Sequence, residues 1–293
     1  MSFPDFPFMP PDLSTHGQAL DDLTWWVHII MAILFVGWGA FFLYTLVRFR
    51  SGANPKANYG GMKSHFSTYH EVIIVVIECV LLFALAIPLW ANWADGAQNR
   101  KTEGNALHIR VVAQQFGWNV QYPGPDGKLG KLSVSRINES FNPIGLDRRS
   151  DGGADDFQIQ NSLFIPVNRP VIVDISTKDV IHSFFLPAMR VKQDAMPGMR
   201  IPITFEANKT TMQYKKEEFA ETPGKYQAAH EIPDFEIACA QLCGAQHFKM
   251  TGKFYILSAE DFTDETTLTD LLTWSGNFTS GNWEATNEGQ AGN

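Results

Sequence analysis

The sequence is poor in cysteine and in charge, and each shortage excludes a class of protein. Three cysteines among 293 residues are too few for a disulfide scaffold. The net charge of −8 excludes a basic nucleic-acid surface, so no nucleic-acid partner is expected. Charged residues make up 18%, below the usual share of about a quarter, which indicates that some segments avoid charge altogether. A mean hydropathy of −0.12 excludes a chain that is mostly intramembrane.

Two long apolar stretches could cross a lipid bilayer. Leu23 to Val47 contain no Asp, Glu, Lys or Arg, and only Glu78 interrupts the stretch from Val72 to Ala91. About 20 apolar residues span a bilayer core. Two buried helices of a soluble domain are the alternative, but apolar runs of this length are uncommon there. We therefore predict a transmembrane helical hairpin over 23–94, with spans at about 23–47 and 71–93.

The flanking charges predict the orientation of this hairpin. Residues 1–22 contain four aspartates and no Lys or Arg, whereas the connection between the spans contains no acid and four bases, Arg48, Arg50, Lys56 and Lys63. Positive charge stays on the cytoplasmic side. Segment 1–22 and the C-terminal part are therefore expected outside. The chain is predicted to be an integral protein of a bacterial-type inner membrane with its C-terminal domain on the periplasmic side.

Beyond residue 104 the sequence changes to short alternating apolar runs separated by Pro and Gly. Six runs are predicted strands: 107–111, 116–122, 157–165, 171–176, 201–206 and 254–257. Many short strands without a convincing helix predict an all-β sandwich or small barrel over 104–262. The polar, glycine-rich stretch 124–156 is predicted as an insertion, and 263–293 as an acidic C-terminal tail in which Leu268 to Trp274 form a short helix.

The densest chemical signal is the run Cys239-Ala-Gln-Leu-Cys243-Gly-Ala-Gln-His247-Phe-Lys-Met250. It places two thiols, an imidazole and a thioether within twelve residues, and His182 upstream offers a second imidazole. Thiolate and thioether are soft ligands and imidazole suits copper, so the mixture points to copper. Zinc would accept the thiols and the imidazoles but has little use for the thioether.

Two structural alternatives compete with a metal site. Spacings of four, eight and eleven residues also put these side chains on one face of a packed helix. Cys239 and Cys243 could instead form a disulfide in an exported domain. Neither alternative accounts for His247 and Met250 together with His182.

The ligand supply exceeds what one copper ion requires. A mononuclear blue site uses one thiolate, two imidazoles and a weak axial Met, so the second thiolate suggests a second copper bridged by both sulfurs. Cys239 and Cys243 would then bridge two ions that share one electron hole. One histidine and Met250 would complete one ion, and the other histidine with the backbone carbonyl of Gln241 would complete the second.

Several features together resemble cytochrome c oxidase subunit II over roughly residues 20–262. They are the hairpin before a β domain, Lys178-Asp-Val-Ile-His182-Ser, Lys192-Gln-Asp194-Ala-Met-Pro-Gly198 and Cys-x3-Cys-x3-His-x2-Met. The resemblance implies a cupredoxin-like sandwich with a binuclear copper centre, CuA. It also implies that cytochrome c docks outside and that electrons pass through CuA to haem in subunit I, where CuB and oxygen reduction reside. No catalytic residue for oxygen reduction is then expected in this chain, whose implied partners are subunit I, other oxidase subunits and membrane lipids.

The resemblance also assigns single positions. Phe116 and Trp118 match the aromatic patch through which electrons enter CuA, with ordinary core packing as the alternative. Gln241 stands where the family has a Glu that helps to bind Mg or Mn at the subunit interface, so the resemblance leaves a Mg or Mn site open. Asp194 is expected to order the loop beneath copper by hydrogen bonds.

Two acids of the second span are proton-channel candidates. Glu71 lies where the family places a glutamate at the mouth of a channel serving subunit I, although an acid near a helix N-terminus is also favoured by the helix dipole. Glu78 lies well inside the apolar run, where an ionisable residue is a functional candidate by default.

The sequence also suggests where an electron donor would dock and which other functions compete with that of an oxidase subunit. Acids that could attract a basic cytochrome c are Asp155, Asp156, Glu217, Glu218 and Glu231, with solvated surface as the alternative. The chain lacks Cys-x-x-Cys-His, so its electrons are expected from a separate c-type haem donor. A membrane-anchored copper carrier, a quinol oxidase subunit II and a CuA domain serving another reductase are the competing functions.

Overall fold

The computed structural model describes residues 9–56, 59–60, 64–91, 105–283 and 286 and divides into two compact units. The first unit contains two long helices, α1 (Gly17–Arg48) and α2 (Phe66–Ala91). Both are long and apolar enough to cross a membrane, and the most apolar 18 residues of each are unburied. Unburied apolar side chains all round distinguish these helices from the core helices of a soluble domain.

The helices extend beyond the predicted spans. Helix α1 begins six residues before Leu23, and α2 begins five residues before position 71. Residues 81–86 of α2 form a π-helical segment shortly before Pro88. Trp93 and Lys63, which the topology prediction used, lie outside the described residues.

The second unit is a sandwich of two five-stranded sheets, which confirms the predicted fold class. The first sheet has the strand order β3 (Phe157–Gln160), β2 (Gly117–Tyr122), β1 (Leu107–Gln114), β5 (Val171–Thr177), β8 (Ile201–Phe205). The second has the order β4 (Ser162–Pro166), β10 (Thr251–Leu257), β9 (Phe235–Cys239), β6 (His182–Leu186), β7 (Val191–Ala195).

Alternation of side chains explains the core of the sandwich. Successive residues of a strand point to opposite faces, and the antiparallel register of β1 with β2 sets Val111 opposite Val120 and Ala113 opposite Trp118. All four side chains are buried. The predicted strand 157–165 is two strands in different sheets, separated at Asn161, whose φ of 55° turns the chain.

The expectation that the domain lacks a convincing helix is wrong. Helix α3 (Thr211–Glu221) begins at the N-cap Thr210, whose hydroxyl accepts a hydrogen bond from the Gln213 N–H. Helix α4 (Leu268–Thr279) is longer than the predicted 268–274 and buries Leu271, Trp274 and Phe278. Much of the predicted tail is therefore part of the core of this unit.

The predicted insertion folds back on the first sheet without forming one of its strands. Its Ile144 and Leu146 are buried against Val112 of β1. Asp156 is also buried and accepts hydrogen bonds from the Gln121 side chain and from the Gly130 N–H. Burial raises the pKa of Asp156 despite these bonds. A carboxylate in this position is structural, so Asp156 is wrong as a docking residue.

The stretch before α1 packs on the sandwich. The Leu13 N–H donates to the Ala188 carbonyl at 2.8 Å, the Asn208 N–H donates to the Leu13 carbonyl at 2.9 Å, and the Leu13 side chain is buried. Residues 10–17 therefore belong to the same compact unit as the sandwich.

Candidate metal centre

The loops that join strands at one end of the sandwich bring the predicted ligands together. We call this end the cysteine pole and define it by residues 114–116, 177–182 and 239–250. Strand β9 ends at Cys239, the loop 240–250 follows, and β6 begins at His182. Strands β6 and β9 are antiparallel neighbours with Phe184 opposite Cys239, and this pairing sets the two ligand-bearing segments side by side.

The donor atoms form one compact group. Cys239 Sγ lies 3.9 Å from Cys243 Sγ and 3.9 Å from His182 Nδ1. Cys243 Sγ lies 3.5 Å from His247 Nδ1 and 3.6 Å from Met250 Sδ. The ligand atoms of His182, Cys239 and Cys243 all fall within 4.8 Å of one another. These distances suit side chains that surround a common centre.

Both structural alternatives to a metal site are wrong in this structure. The sulfurs of Cys239 and Cys243 are 3.9 Å apart, far beyond the disulfide bond length of about 2.05 Å, and both cysteines are free. No α-helix covers the stretch from Cys239 to Met250, which is fully described and contains only a 3-10 turn at His247–Lys249. The four side chains therefore converge through a loop rather than through a helical stripe.

The environment of the thiols affects their ionisation. Cys243 and Met250 are buried, while Cys239 is half-buried. Burial, together with the neighbouring Cys239, raises the pKa of the Cys243 thiol to about 11. The metal-free thiol is then protonated at neutral pH, and a metal ion that binds the thiolate must displace that proton.

An aspartate that the sequence reasoning did not select orients His182. The buried His182 ring has its Nε2 2.9 Å from Asp179 Oδ1, so an N–H there donates to the carboxylate and leaves Nδ1 free on the Cys239 side. Burial would raise the pKa of Asp179, but hydrogen bonds from the Gln115 N–H and from His182 outweigh it and hold that pKa below its usual value. The Asp-x-x-His spacing was the available signal.

Backbone groups and Gln115 complete the pole. The Gln241 carbonyl lies 3.2 Å from Cys239 Sγ, while the Gln241 side chain is exposed. The Gln115 side-chain amide donates to the Cys243 carbonyl at 2.6 Å. Gln115 therefore ties the end of the first sheet to the cysteine loop, a contact that no sequence motif indicates.

The two aromatic residues predicted for electron entry occupy different positions. Phe116 is half-buried and touches the loop, since a Cβ added at Gly244 would lie 3.1 Å from two of its ring atoms. Gly244 has a φ of 135° as well, so both space and backbone favour glycine there. Trp118 is fully buried, with its ring centroid 6.2 Å from that of His182.

Three other candidates do not join this group of donors. Asp194 lies on β7 opposite Ser183, the residue after His182, so the alternation of the strand points it away from the His182 face. Glu71 lies in the second turn of α2 and Glu78 two turns later, and both are exposed within the helical unit. Their predicted roles remain predictions.

The residues present fit copper. Two thiols, two imidazoles, a thioether and one backbone carbonyl are a soft set with nitrogen, and hard cations such as Mg²⁺ prefer oxygen ligands. Among the described residues, the His182, Cys239 and Cys243 group is the cluster with metal-ligand geometry. The arrangement can hold a redox-active ion largely away from water.

Comparison with known proteins finds similarity to one family. The family model for the periplasmic domain of cytochrome c oxidase subunit II matches residues 107–226. The alternative cytochrome c oxidase subunit 2 of Bradyrhizobium diazoefficiens is 27% identical over 254 residues, which are 85% of this chain and 80% of the relative. Cytochrome c oxidase subunit 2 of Synechocystis sp. is 25% identical over 270 residues, 87% of this chain and 74% of the relative.

A solved structure is also similar. The crystal structure of the periplasmic domain of subunit II of cytochrome oxidase from Bradyrhizobium japonicum covers 60% of this chain and 94% of its own, at 23% identity and a TM-score of 0.32.

Proposed function

We propose that this chain, whose β-sandwich domain matches the family model for the periplasmic domain of cytochrome c oxidase subunit II, is the electron-entry subunit of a terminal respiratory oxidase. It accepts electrons from cytochrome c or another c-type haem donor and passes them to haem in subunit I, where oxygen is reduced to water. The convergence of His182, Cys239, Cys243, His247 and Met250 at the cysteine pole carries this proposal.

We propose a binuclear CuA centre at this pole, with two copper ions per chain. Bound copper would supply a one-electron couple whose electron hole is spread over two ions by shared thiolates. Cys239 and Cys243 would hold both ions through their sulfurs, and the two imidazoles lie by different sulfurs, His182 by Cys239 and His247 by Cys243. Met250 and the Gln241 carbonyl complete the set. The exposed Gln241 amide in place of a carboxylate gives no support to a Mg or Mn site.

The chain's own residues hold this centre rigid. Asp179 fixes the His182 ring, and Gln115 fixes the Cys243 carbonyl. Phe116 covers the loop at Gly244, and Trp118 lies beneath His182, which gives both rings a place on a route for electrons. Rigid ligands keep electron transfer fast because little has to move when the oxidation state changes.

The competing functions fit the site less well. A copper carrier needs open, exchangeable ligands, whereas His182, Cys243 and Met250 are buried. A quinol oxidase subunit would lack the ligands that are present here. The two long helices favour an oxidase anchor over a donor to another reductase. Copper retention against a strong chelator would separate a carrier from an electron-transfer centre.

The membrane arrangement is part of the same proposal. Residues 10–17 pack on the sandwich, and the basic connection after Arg48 favours the cytoplasm. We therefore place both ends of the hairpin and the sandwich outside. Glu71 and Glu78 are proposed to conduct protons towards subunit I.

Copper stoichiometry and EPR of the full chain in detergent test this function. Two copper ions per chain, with hyperfine structure from one electron shared by two nuclei, are expected. One copper with a mononuclear spectrum, or a zinc-filled site, would refute the proposed centre. A fragment that ends at Phe262, the predicted end of the domain, is unsuitable for this test because α4 beyond it supplies buried core residues.

A further inference from the structure

The tip of the 124–156 segment reaches the cysteine pole. Asn138 and Asn142 pair through two backbone hydrogen bonds of 2.8 and 3.0 Å and enclose a tight turn of three residues, 139–141. The Lys178 ammonium donates to the Glu139 carboxylate at 2.8 Å and to Gln114 at 2.7 Å. The turn is therefore fixed to the ends of β1 and β5.

A short series of contacts continues from this turn to the ligands. Lys178 is followed by Asp179, which contacts His182 at 2.9 Å. Gln114 is followed by Gln115, which contacts the Cys243 carbonyl at 2.6 Å. The turn thus lies beside both ligand-bearing loops rather than on a remote part of the surface.

The turn and the neighbouring loops expose several large apolar side chains at this pole. Phe141, inside the turn, is 79% exposed, although a loop tip is ordinarily polar. The neighbouring loops add exposed apolar side chains from Val180, Ile181, Leu242 and Phe248. An exposed aromatic ring on a well-fixed turn is typical of a protein contact, because little conformational entropy is lost when it is buried.

The charge on the turn itself is compensated. Glu139 is neutralised by Lys178, which is itself mostly buried. The acids predicted for docking lie elsewhere. Glu231 precedes β9, whose far end carries Cys239, and α3, which carries Glu217 and Glu218, begins where Thr211 bonds to Ile256 near the end of β10 remote from Met250.

We propose that Phe141 is a contact residue for the electron donor, a c-type cytochrome whose face around the exposed haem edge is apolar. This inference rests on the proposed function, because it is the copper centre that requires a donor at this pole. The ferrous haem gives up one electron and becomes ferric, and the centre gains that electron. The apolar contact supplies affinity at short range, and compensated charges contribute little steering.

Binding and reduction kinetics of the purified oxidase test this role, with mitochondrial-type cytochrome c as the probe. The variants are Phe141→Ser and, as a matched control, Phe219→Ser on α3, which removes an exposed phenyl ring away from the pole. The Kd for ferricytochrome c is measured calorimetrically. Reduction of the centre by ferrocytochrome c and by hexaammineruthenium(II), which needs no protein contact, is followed by stopped flow.

We expect Phe141→Ser to raise the Kd about tenfold, the loss typical of one interface anchor, and to slow reduction by the cytochrome similarly. Reduction by the ruthenium complex, the copper spectrum and the salt dependence of the cytochrome rate should match wild type, and Phe219→Ser should match it throughout. An unchanged Kd in Phe141→Ser would overturn the inference and leave the proposed function standing. Loss of the copper spectrum or of assembly in that variant would assign Phe141 to folding and also overturn it. A wild-type oxidase without a binuclear copper signal would refute both proposals.

Discussion

The cysteine pole and the region around helices α3 and α4 stabilise their buried polar groups through different interactions. At the pole, donors from two loops surround a centre, and neutral contacts from Gln115 and a single carboxylate, Asp179, fix them. In the second region, which we call the helical cover (α3, α4 and the residues they bury), a salt bridge is enclosed by aromatic rings. The donors of the pole converge where the proposed metal would bind, whereas the salt bridge of the cover finds all its partners within the chain.

The helical cover shows what a self-sufficient buried charge requires. The Lys215 ammonium lies 2.5 Å from Asp234 Oδ1, and both side chains are largely buried. The Tyr255 hydroxyl donates to Asp234 Oδ2 at 3.2 Å, and the Phe278 ring centroid lies 4.8 Å from the ammonium. Trp274 stacks on Phe278 at 4.7 Å. A charge that leaves water is tolerated here because partners from three elements satisfy it.

The largest expected effect is loss of the proposed copper centre at the pole. Cys243→Ser removes the buried bridging sulfur, the atom that also contacts His247 and Met250. The binuclear EPR signal should disappear completely, and copper should fall from two ions per chain to one or none. Metal analysis and EPR of the purified variant measure this. A Cys243→Ser protein with an unchanged copper spectrum would contradict the assignment, and Cys79→Ser in α2 is the matched control.

The next effect breaks the cover. Asp234→Asn leaves the Lys215 ammonium buried without a carboxylate, which typically costs about 3–5 kcal/mol. Thermal and urea unfolding measure the loss, and the copper spectrum should remain intact below the transition. The double variant Asp234→Asn, Lys215→Met should recover most of the stability because no charge stays buried. A double variant as unstable as the single one would show that packing, not charge, dominates this region.

The pH dependence of stability provides a separate check on the same pair. Burial would raise the pKa of Asp234, but Lys215 and Lys253 outweigh it and hold that pKa below the ordinary value of 3.8. A lowered folded pKa means that the carboxylate contributes stability above the unfolded pKa and that this contribution is lost as pH falls through the folded value. Stability should therefore drop below about pH 4, and Asp234→Asn should reduce that drop.

The two regions also differ in how far the sequence predicts them. The pole is predictable because its donors are soft, rare and closely spaced, so Cys239, Cys243, His247 and Met250 indicate a metal site by residue type alone. Asp179 was not selected because the Asp-x-x-His spacing alone does not show that the carboxylate contacts the His182 ring. The candidate ligands can be chosen by residue type, whereas the residues that orient them are recognised only once the fold is known.

The helical cover is poorly predictable for a physical reason. The buried face of α4 depends on contacts with Phe164 and Tyr255, which are distant in sequence. From the sequence alone Lys215 is expected at the surface, because its partner Asp234 is identified only in the folded structure. Strands β6 and β9 were also not predicted. His182 begins β6 and Cys239 ends β9, so the short apolar run of each strand adjoins a ligand loop.

A smaller effect sharpens the account of the pole. Asp179→Asn keeps the shape of the side chain but removes the charge that orients His182, so copper affinity should fall about 10- to 100-fold. Chelator competition on the purified protein measures this. Asp194→Asn is the control, because Asp194 points to the other face of its sheet. Equal losses in both variants would contradict a specific role for Asp179.

The smallest expected effect concerns the thioether. Met is a weak axial copper ligand, so Met250→Leu should keep two copper ions and the thiolate–copper absorption, with less than about a tenfold loss of affinity. The reduction potential should shift and electron transfer should slow, because the axial donor tunes the energy of the oxidised form. Potentiometry and stopped flow measure both. Met189→Leu, a buried methionine next to β6, is the control for packing alone. If both variants behave alike, Met250 contributes only to packing, as the aromatic residues of the cover do, and is not a ligand.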